Sequence, residues 1–168
     1  MESTIADVPT GKSTKSPWGR RVGTLILALF IVSGASGFLG DSTETKTSQQ
    51  AGFTLELEYP QRTRSGLDVP WELQISSEDP LPAEITIAVT ADYFNIFEHQ
   101  GLDPEAISQT ADPHMEYWTF KTPGGNTLSI SIDHYVEPGV MRGASGTVGL
   151  YIAEELIAPI DFTTHMLP

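Results

Sequence analysis

Cysteine is absent from the chain. That absence removes disulfide staples, thiolate metal sites, a cysteine nucleophile and a lipidated cysteine anchor together. Basic residues are scarce, and their scarcity is segregated. Residues 41–168 hold five (Lys46, Arg62, Arg64, Lys121 and Arg142) against 20 acids, a net of −15. Residues 1–40 hold Lys12, Lys15, Arg20 and Arg21 against Glu2 and Asp7, a net of +2. So acidic a surface repels phosphate backbones, and nucleic acid is excluded as an expected partner. Motifs are missing too. There is no HExxH pair, no EF-hand spacing, no phosphate-cradling glycine loop and no Asn-x-Ser/Thr sequon. Ser145, in Gly-Ala-Ser-Gly, lacks the strand–elbow–helix setting of a hydrolase nucleophile. Carboxylate pairs can be drawn from 20 acids in too many ways to signal glycoside cleavage. No cofactor is implied, and the chain reads as non-enzymatic, with an envelope hydrolase the least favoured alternative.

What is present begins with one long apolar run. Residues 22–40 contain no charge, and ten of the 19 are Leu, Ile, Val or Phe. As a helix rising 1.5 Å per residue the run spans about 28 Å, close to the hydrocarbon thickness of a bilayer. Arg20 and Arg21 precede it and Asp41 and Glu44 follow it. The positive-inside rule then predicts a cytoplasmic N-terminus and an extracytoplasmic C-terminal domain at the plasma membrane. A cleaved signal peptide competes with this reading. Its apolar core would be Val22–Val32, with a small-residue site at Ser33-Gly-Ala35 or Ala35-Ser-Gly37. The 21-residue basic leader and the return of apolar character at Phe38-Leu39 favour a retained anchor. Retention or cleavage stays open, and export follows either way. Residues 1–21 read as a disordered cytoplasmic tail and 41–50 (DSTETKTSQQ) as a flexible polar linker.

From residue 51 to 168 the hydrophobic period switches to two. Phe53 to Tyr59, Val69 to Ile75, Ile85 to Val89, Met115 to Lys121, Leu128 to His134, Val148 to Ile152 and Ile160 to Thr164 each read as a strand with one buried face. Pro123-Gly-Gly-Asn126 and Pro138-Gly139 supply turn chemistry between them. Seven strands without long alternating helices predict an all-β fold, a seven-stranded antiparallel immunoglobulin-like β-sandwich. Trp71 and Trp118 are its expected core anchors. The interruption at Ala91–His114 predicts a short helical insertion, Asp92 capping a helix from Tyr93 to Gln100 and Gly101 stopping it.

The stretches Gly66-Leu-Asp-Val-Pro-Trp71, Thr90-Ala-Asp-Tyr-Phe94 and Gln100-Gly-Leu-Asp-Pro104, set behind a basic tail, a single anchor and a spacer, resemble small bacterial single-pass envelope proteins of unassigned activity. The resemblance implies a tethered immunoglobulin-like module and brings no catalytic residues with it.

Two groups of residues in the insertion are candidates for chemistry. Asp92, Glu98, Asp103, Glu105, Asp112 and Glu116, with His99 and His114 among them, offer oxygen ligands to a hard cation such as calcium, which takes six to eight. A merely solvated acidic face is the plainer explanation of the same residues. Tyr93, Ile96 and His99 are candidates for contact with a partner, while Phe94 and Phe97 are assigned to the core and His134 to the core or its rim. The expected function is contact with an unidentified membrane or envelope protein, by a module held to the lipid bilayer through 22–40. The alternative is an ion-responsive domain using 92–116.

Overall fold

The computed structural model describes residues 17–35 and 40–168. The chain divides into two units between Leu39 and Gly40. In the first, α1 spans Pro17–Ala35. Proline suits a first helical position, where no N–H is required. Thr24 and Ser33 turn their hydroxyls back onto the carbonyls of Arg20 and Phe30, both at 2.9 Å, so neither needs water. The apolar side chains stand open, with Leu25 69%, Leu29 74% and Phe30 70% exposed. Among the described residues α1 is the one helix long and apolar enough to cross a membrane, with a mean hydropathy of 1.3 over Trp18–Ala35.

The helix begins at Pro17 rather than at the expected Val22, so residues 17–21 are helical rather than part of a disordered tail. Arginine is a good helix former, and its long stem carries the charge away from an apolar stripe. Residues 1–16 of the expected tail and 36–39 of the expected span lie outside the described residues.

The second unit is built from ten strands: β1 (Ser42–Gln50), β2 (Phe53–Thr63), β3 (Asp68–Ser77), β4 (Glu84–Thr90), β5 (Phe97–Asp103), β6 (Ser108–Ala111), β7 (Met115–Lys121), β8 (Thr127–Val136), β9 (Ala144–Ile152) and β10 (Glu155–Met166). The seven expected runs fall within β2, β3, β4, β7, β8, β9 and β10. Hydrogen bonds link the strands in the order β5-β8-β3-β2-β10-β9-β4-β7-β6, with β1 added on β2. The join is a short parallel pairing of β10 with β2, His165 opposite Arg62 and Met166 opposite Thr63. Nine strands in one continuous order, with β1 beside them, are found where seven in two sheets were expected.

The two arms of this order face one another across a shared core. Trp71 on β3 meets Trp118 on β7 edge-on, with ring centres 6.5 Å apart. Phe162 on β10 lies 5.4 Å from Tyr59 on β2 and 6.4 Å from Trp71. Leu57, Leu73, Ile87, Ile130 and Leu150, one from each of five strands, are fully buried between them. Alternation along each strand puts these residues on one face and the acids on the other.

Two corrections concern segments without a clean apolar period. The expected flexible linker 41–50 is the strand β1, paired with β2 from Ser42↔Arg62 to Gln50↔Phe53. Ala51 and Gly52 close this hairpin with φ of 53° and 81°, the left-handed pair that a two-residue turn requires. Polar bonds hold β1 in place of burial. Glu44 accepts from the Tyr59 hydroxyl and from Gln61 Nε2 at 2.9 Å, and Lys46 Nζ donates to the Asp161 carbonyl at 2.9 Å. The Ala158 N–H donates to Gln50 Oε1 at 2.8 Å.

The second correction is the expected helix at 93–100. A 3₁₀ turn occupies Ala91–Ile96, and Phe97 already has extended geometry, φ −122° and ψ 147°. Burial decides the difference. Tyr93, Phe94 and Phe97 are all in the core, and β5 gains a ladder with β8 that a helix would forfeit.

Candidate functional site

The sheet order ends at β5 on one side and β6 on the other, and those two ends face each other. Each has one edge without a strand partner among the described residues. Between them opens a groove of about 410 Å³ lined by Gly101, Leu102, Gln109, Glu116, Trp118 and Ile132. β5 contributes the first two residues, β6 the third, β7 the next two and β8 the last. The register of β5 against β8 shifts between His99 and Leu102, a bulge that falls at Gly101, φ +150°. Bulges at sheet edges bend the strand and re-aim side chains. Here the bend leaves Leu102 half-buried at the mouth, over Trp118 and Ile132, which are 5% and 3% exposed.

The polar groups of the groove come from alternation on β6 and β7. Gln109 lies opposite Trp118 and Ala111 opposite Glu116, so all four share the inward face. Glu116 is half-buried and accepts a hydrogen bond from Trp118 Nε1 at 3.1 Å. One carboxylate oxygen is thereby engaged and the other is left for a ligand. Ile107, just before β6 at the other end of its ladder with β7, is 56% exposed.

The charge around this opening is one-sided. Residues 65–120 contain eleven acids and neither lysine nor arginine. Of the four strands lining the groove only β7 carries a lysine or arginine, Lys121 at its last position. A second hollow, about 570 Å³, lies by the β1–β2 turn among Gln49, Gln50, Phe53, Ser76, Ser77 and Glu78. Its walls are mostly amides and hydroxyls, and it lacks the buried apolar floor that gives a site affinity.

The candidate ion ligands are not brought together. Among the described residues no three His, Asp or Glu side chains form a group that could hold a metal ion. Asp112 is occupied as a brace for the β6–β7 turn. It accepts the N–H groups of His114 at 2.7 Å and Met115 at 2.8 Å, and the Tyr117 hydroxyl at 2.8 Å. The two backbone bonds, then the tyrosine bond, hold its carboxyl below the ordinary aspartate value, and the same bond raises the Tyr117 hydroxyl. Asp92 takes Asn95 Nδ2 at 3.2 Å on the outside of the 3₁₀ turn. Glu98 and Asp103 are exposed on β5, opposite Tyr135 and Ser131, and Glu105 is exposed beyond its end. Of the six, Glu116 alone lines the groove.

The contact candidates also separate. Tyr93 is fully buried and presents no surface to a partner. It donates to Thr164 Oγ1 at 2.8 Å, which donates in turn to the Pro60 carbonyl at 2.6 Å, and burial drives its pKa far above the ordinary value. Ile96 is half-buried against the core. The backbone of His99 pairs with His134, but its side chain lies outside the described residues. His134 belongs to the core, its ring 4.8 Å from Phe97 and 5.2 Å from Phe94.

Sequence reasoning missed Gly101, Leu102, Gln109 and Ile132 as neighbours. The available signal was Phe97, His99 and Leu102, a period of two broken once by a glycine, which is how a bulged strand reads.

No family model and no curated relative matches the chain. Solved structures similar to it include a chain of a CaDoc0917–CaCohA2 complex, at 12% identity and a TM-score of 0.42, covering 62% of this chain and 93% of that one. β-Glucosidase from Listeria innocua, in complex with glucose, is 11% identical with a TM-score of 0.33, over 74% of this chain and 16% of the enzyme. A protein that catalyses macrocyclization in alchivemycin A biosynthesis is 8% identical with a TM-score of 0.36, over 77% and 92%. At such scores the likeness assigns neither a family nor an activity.

Proposed function

We propose that this protein is a membrane-tethered module that acts by contact with another protein, through the groove between β5 and β6. The observation that carries the reading is that opening: two unpaired strand edges beside an apolar hollow, the arrangement on which recognition by strand addition depends. The open apolar surface of α1 supports the tether, and the basic residues before it support a cytoplasmic N-terminus with the β-domain outside the plasma membrane. Strongly acidic composition keeps such a domain soluble and standing away from anionic lipid. Kinship with small bacterial envelope proteins of immunoglobulin-like design belongs to the same reading and rests on the layout of anchor and β-domain. No catalytic step is assigned.

The test is site-directed photocross-linking of the full chain in its native membranes. A cross-linker at Gln109 is expected to capture a discrete partner, and one at Glu56, exposed on β2 away from the groove, is not. Equal yields from the two positions, or capture from neither, would end the contact reading. Recovery of the chain in the soluble fraction, or protection of its C-terminus from protease added to spheroplasts, would end the tethered one.

A further inference from the structure

We infer that the groove takes an extended segment of a partner protein in which a lysine or arginine lies two residues from an apolar side chain, added as a strand along the open edge of β6. The inference rests on the contact reading above and names the chemistry of the partner. Three observations converge on it.

The first is the direction of the backbone donors. Asp112 N–H donates to the Met115 carbonyl at 2.9 Å, marking a hydrogen-bonded pair at the end of the β6–β7 ladder. Alternation along an antiparallel pair then turns Thr110 and Ser108 toward β7 and leaves the N–H groups of Gln109 and Ala111 pointing away from it. β6 is four residues long, fully exposed, and carries none of the lysines or prolines that blunt natural edges.

The second is register. A strand laid against β6 places the residues opposite Gln109 and Ala111 on the inward face, two positions and about 7 Å apart. The one beside Gln109 meets the hollow of Leu102, Trp118 and Ile132, which suits an apolar side chain. The one beside Ala111 looks past a single methyl group toward Glu116.

The third is charge. Glu116 is a half-buried carboxylate whose one engaged oxygen takes a neutral indole N–H. Glu98, Asp103 and Glu105 follow along β5 and beyond its end, and residues 65–120 supply neither lysine nor arginine. Desolvating more of Glu116 under a neutral strand would be costly, whereas a cation at the right distance offsets that cost. The field therefore selects a basic strand over an acidic one.

The test uses the full chain in detergent micelles and fluorescein-labelled peptides repeating Val-Thr-Lys-Thr or Val-Thr-Glu-Thr, in which valine and the charged residue lie two positions apart on one strand face, followed by anisotropy. The lysine peptide is expected to bind at least tenfold tighter than the glutamate peptide, and less tightly as salt rises. Glu116→Gln should weaken it about tenfold, and Glu116→Lys should reverse the preference. Ala111→Pro, which removes one outward donor and no ladder bond, should abolish binding while leaving the melting temperature within a few degrees of the parent. Equal binding of the two peptides, or no reversal by Glu116→Lys, overturns the inference. Cross-linking at Gln109 separates the two failures. If it still captures a partner while the peptides do not discriminate, the contact reading stands and the basic strand is wrong.

Discussion

Replacing Thr164 by valine is expected to cost the β-domain more than replacing Tyr93 by phenylalanine, although both remove the same hydrogen bond. Thr164 Oγ1 has one proton and gives it to the Pro60 carbonyl at 2.6 Å, so in the 2.8 Å contact with Tyr93 the tyrosine is the donor. Both side chains are 0% exposed. Tyr93→Phe removes a terminal donor and leaves Thr164 bonded to Pro60, which costs about 1 kcal/mol. Thr164→Val keeps the shape but strands two buried groups, the tyrosine hydroxyl and the Pro60 carbonyl. At about 1–3 kcal/mol each the loss is about 2–6 kcal/mol. Combining the substitutions relieves the stranded hydroxyl, so the double variant should fall short of the sum by about 1 kcal/mol or more. Urea unfolding of the full chain in micelles, followed by near-ultraviolet circular dichroism of the buried aromatics, reads these differences. In a thermal melt each kcal/mol appears as a shift of about 3–5 °C for a unit of this size. If Thr164→Val is no costlier than Tyr93→Phe, or the two effects add, this relay is not what ties the 3₁₀ turn and β10 to β2.

Stability should also fall in alkali. The Tyr59 hydroxyl, desolvated by burial and bonded to Glu44, is pushed up to about 12, and Tyr93 is raised by burial. Unfolded tyrosines release their protons near pH 10 while the folded ones hold theirs, so the contribution is complete below pH 10 and is lost as pH climbs toward about 12. Melting temperatures between pH 9 and 12 should show that decline, and Tyr59→Phe should flatten it. The β9–β10 turn holds Ala153 at φ 50° and Glu154 at φ 64°. Ala153→Asn with Glu154→Gly is expected to stabilise the domain by about 1 kcal/mol, and an unchanged urea midpoint would count against that turn. Gly143 packs against the backbone of Thr164 so closely that an added methyl would collide with its carbonyl. Gly143→Ala should therefore cost about 2–3 kcal/mol in the same unfolding assay, and a neutral result would refute the contact.

Strands that bury one face announced themselves in the chain, because a side-chain period of two with Leu, Ile, Val, Trp or Phe on one side is a local property. Trp71, Leu73 and Ile75 needed no partner to be recognised, and neither did the apolar run that became α1. β1 was invisible for the opposite reason. Its residues are all polar, and it is a strand only because β2 lends it a ladder while Glu44, Lys46 and Gln50 find partners far along the chain. The segment 93–100 carried local signals for a helix. They lost to the burial of Phe97 and to pairing with β8, both of which depend on residues distant in sequence.

The candidate site divides in the same way. Glu116 and Trp118 could be singled out from the sequence, one as an acid in a cluster and the other as a core aromatic, but nothing local relates them to Leu102 or Ile132. Composition and periodicity by themselves determined an acidic β-rich domain behind one apolar helix, since charge and alternation are sums over neighbours. The meeting of the sheet's two ends, the groove between them and the removal of Tyr93 from the surface were decided by the tertiary structure alone. They follow from which strands pair across tens of residues, and that choice is settled by packing a common core.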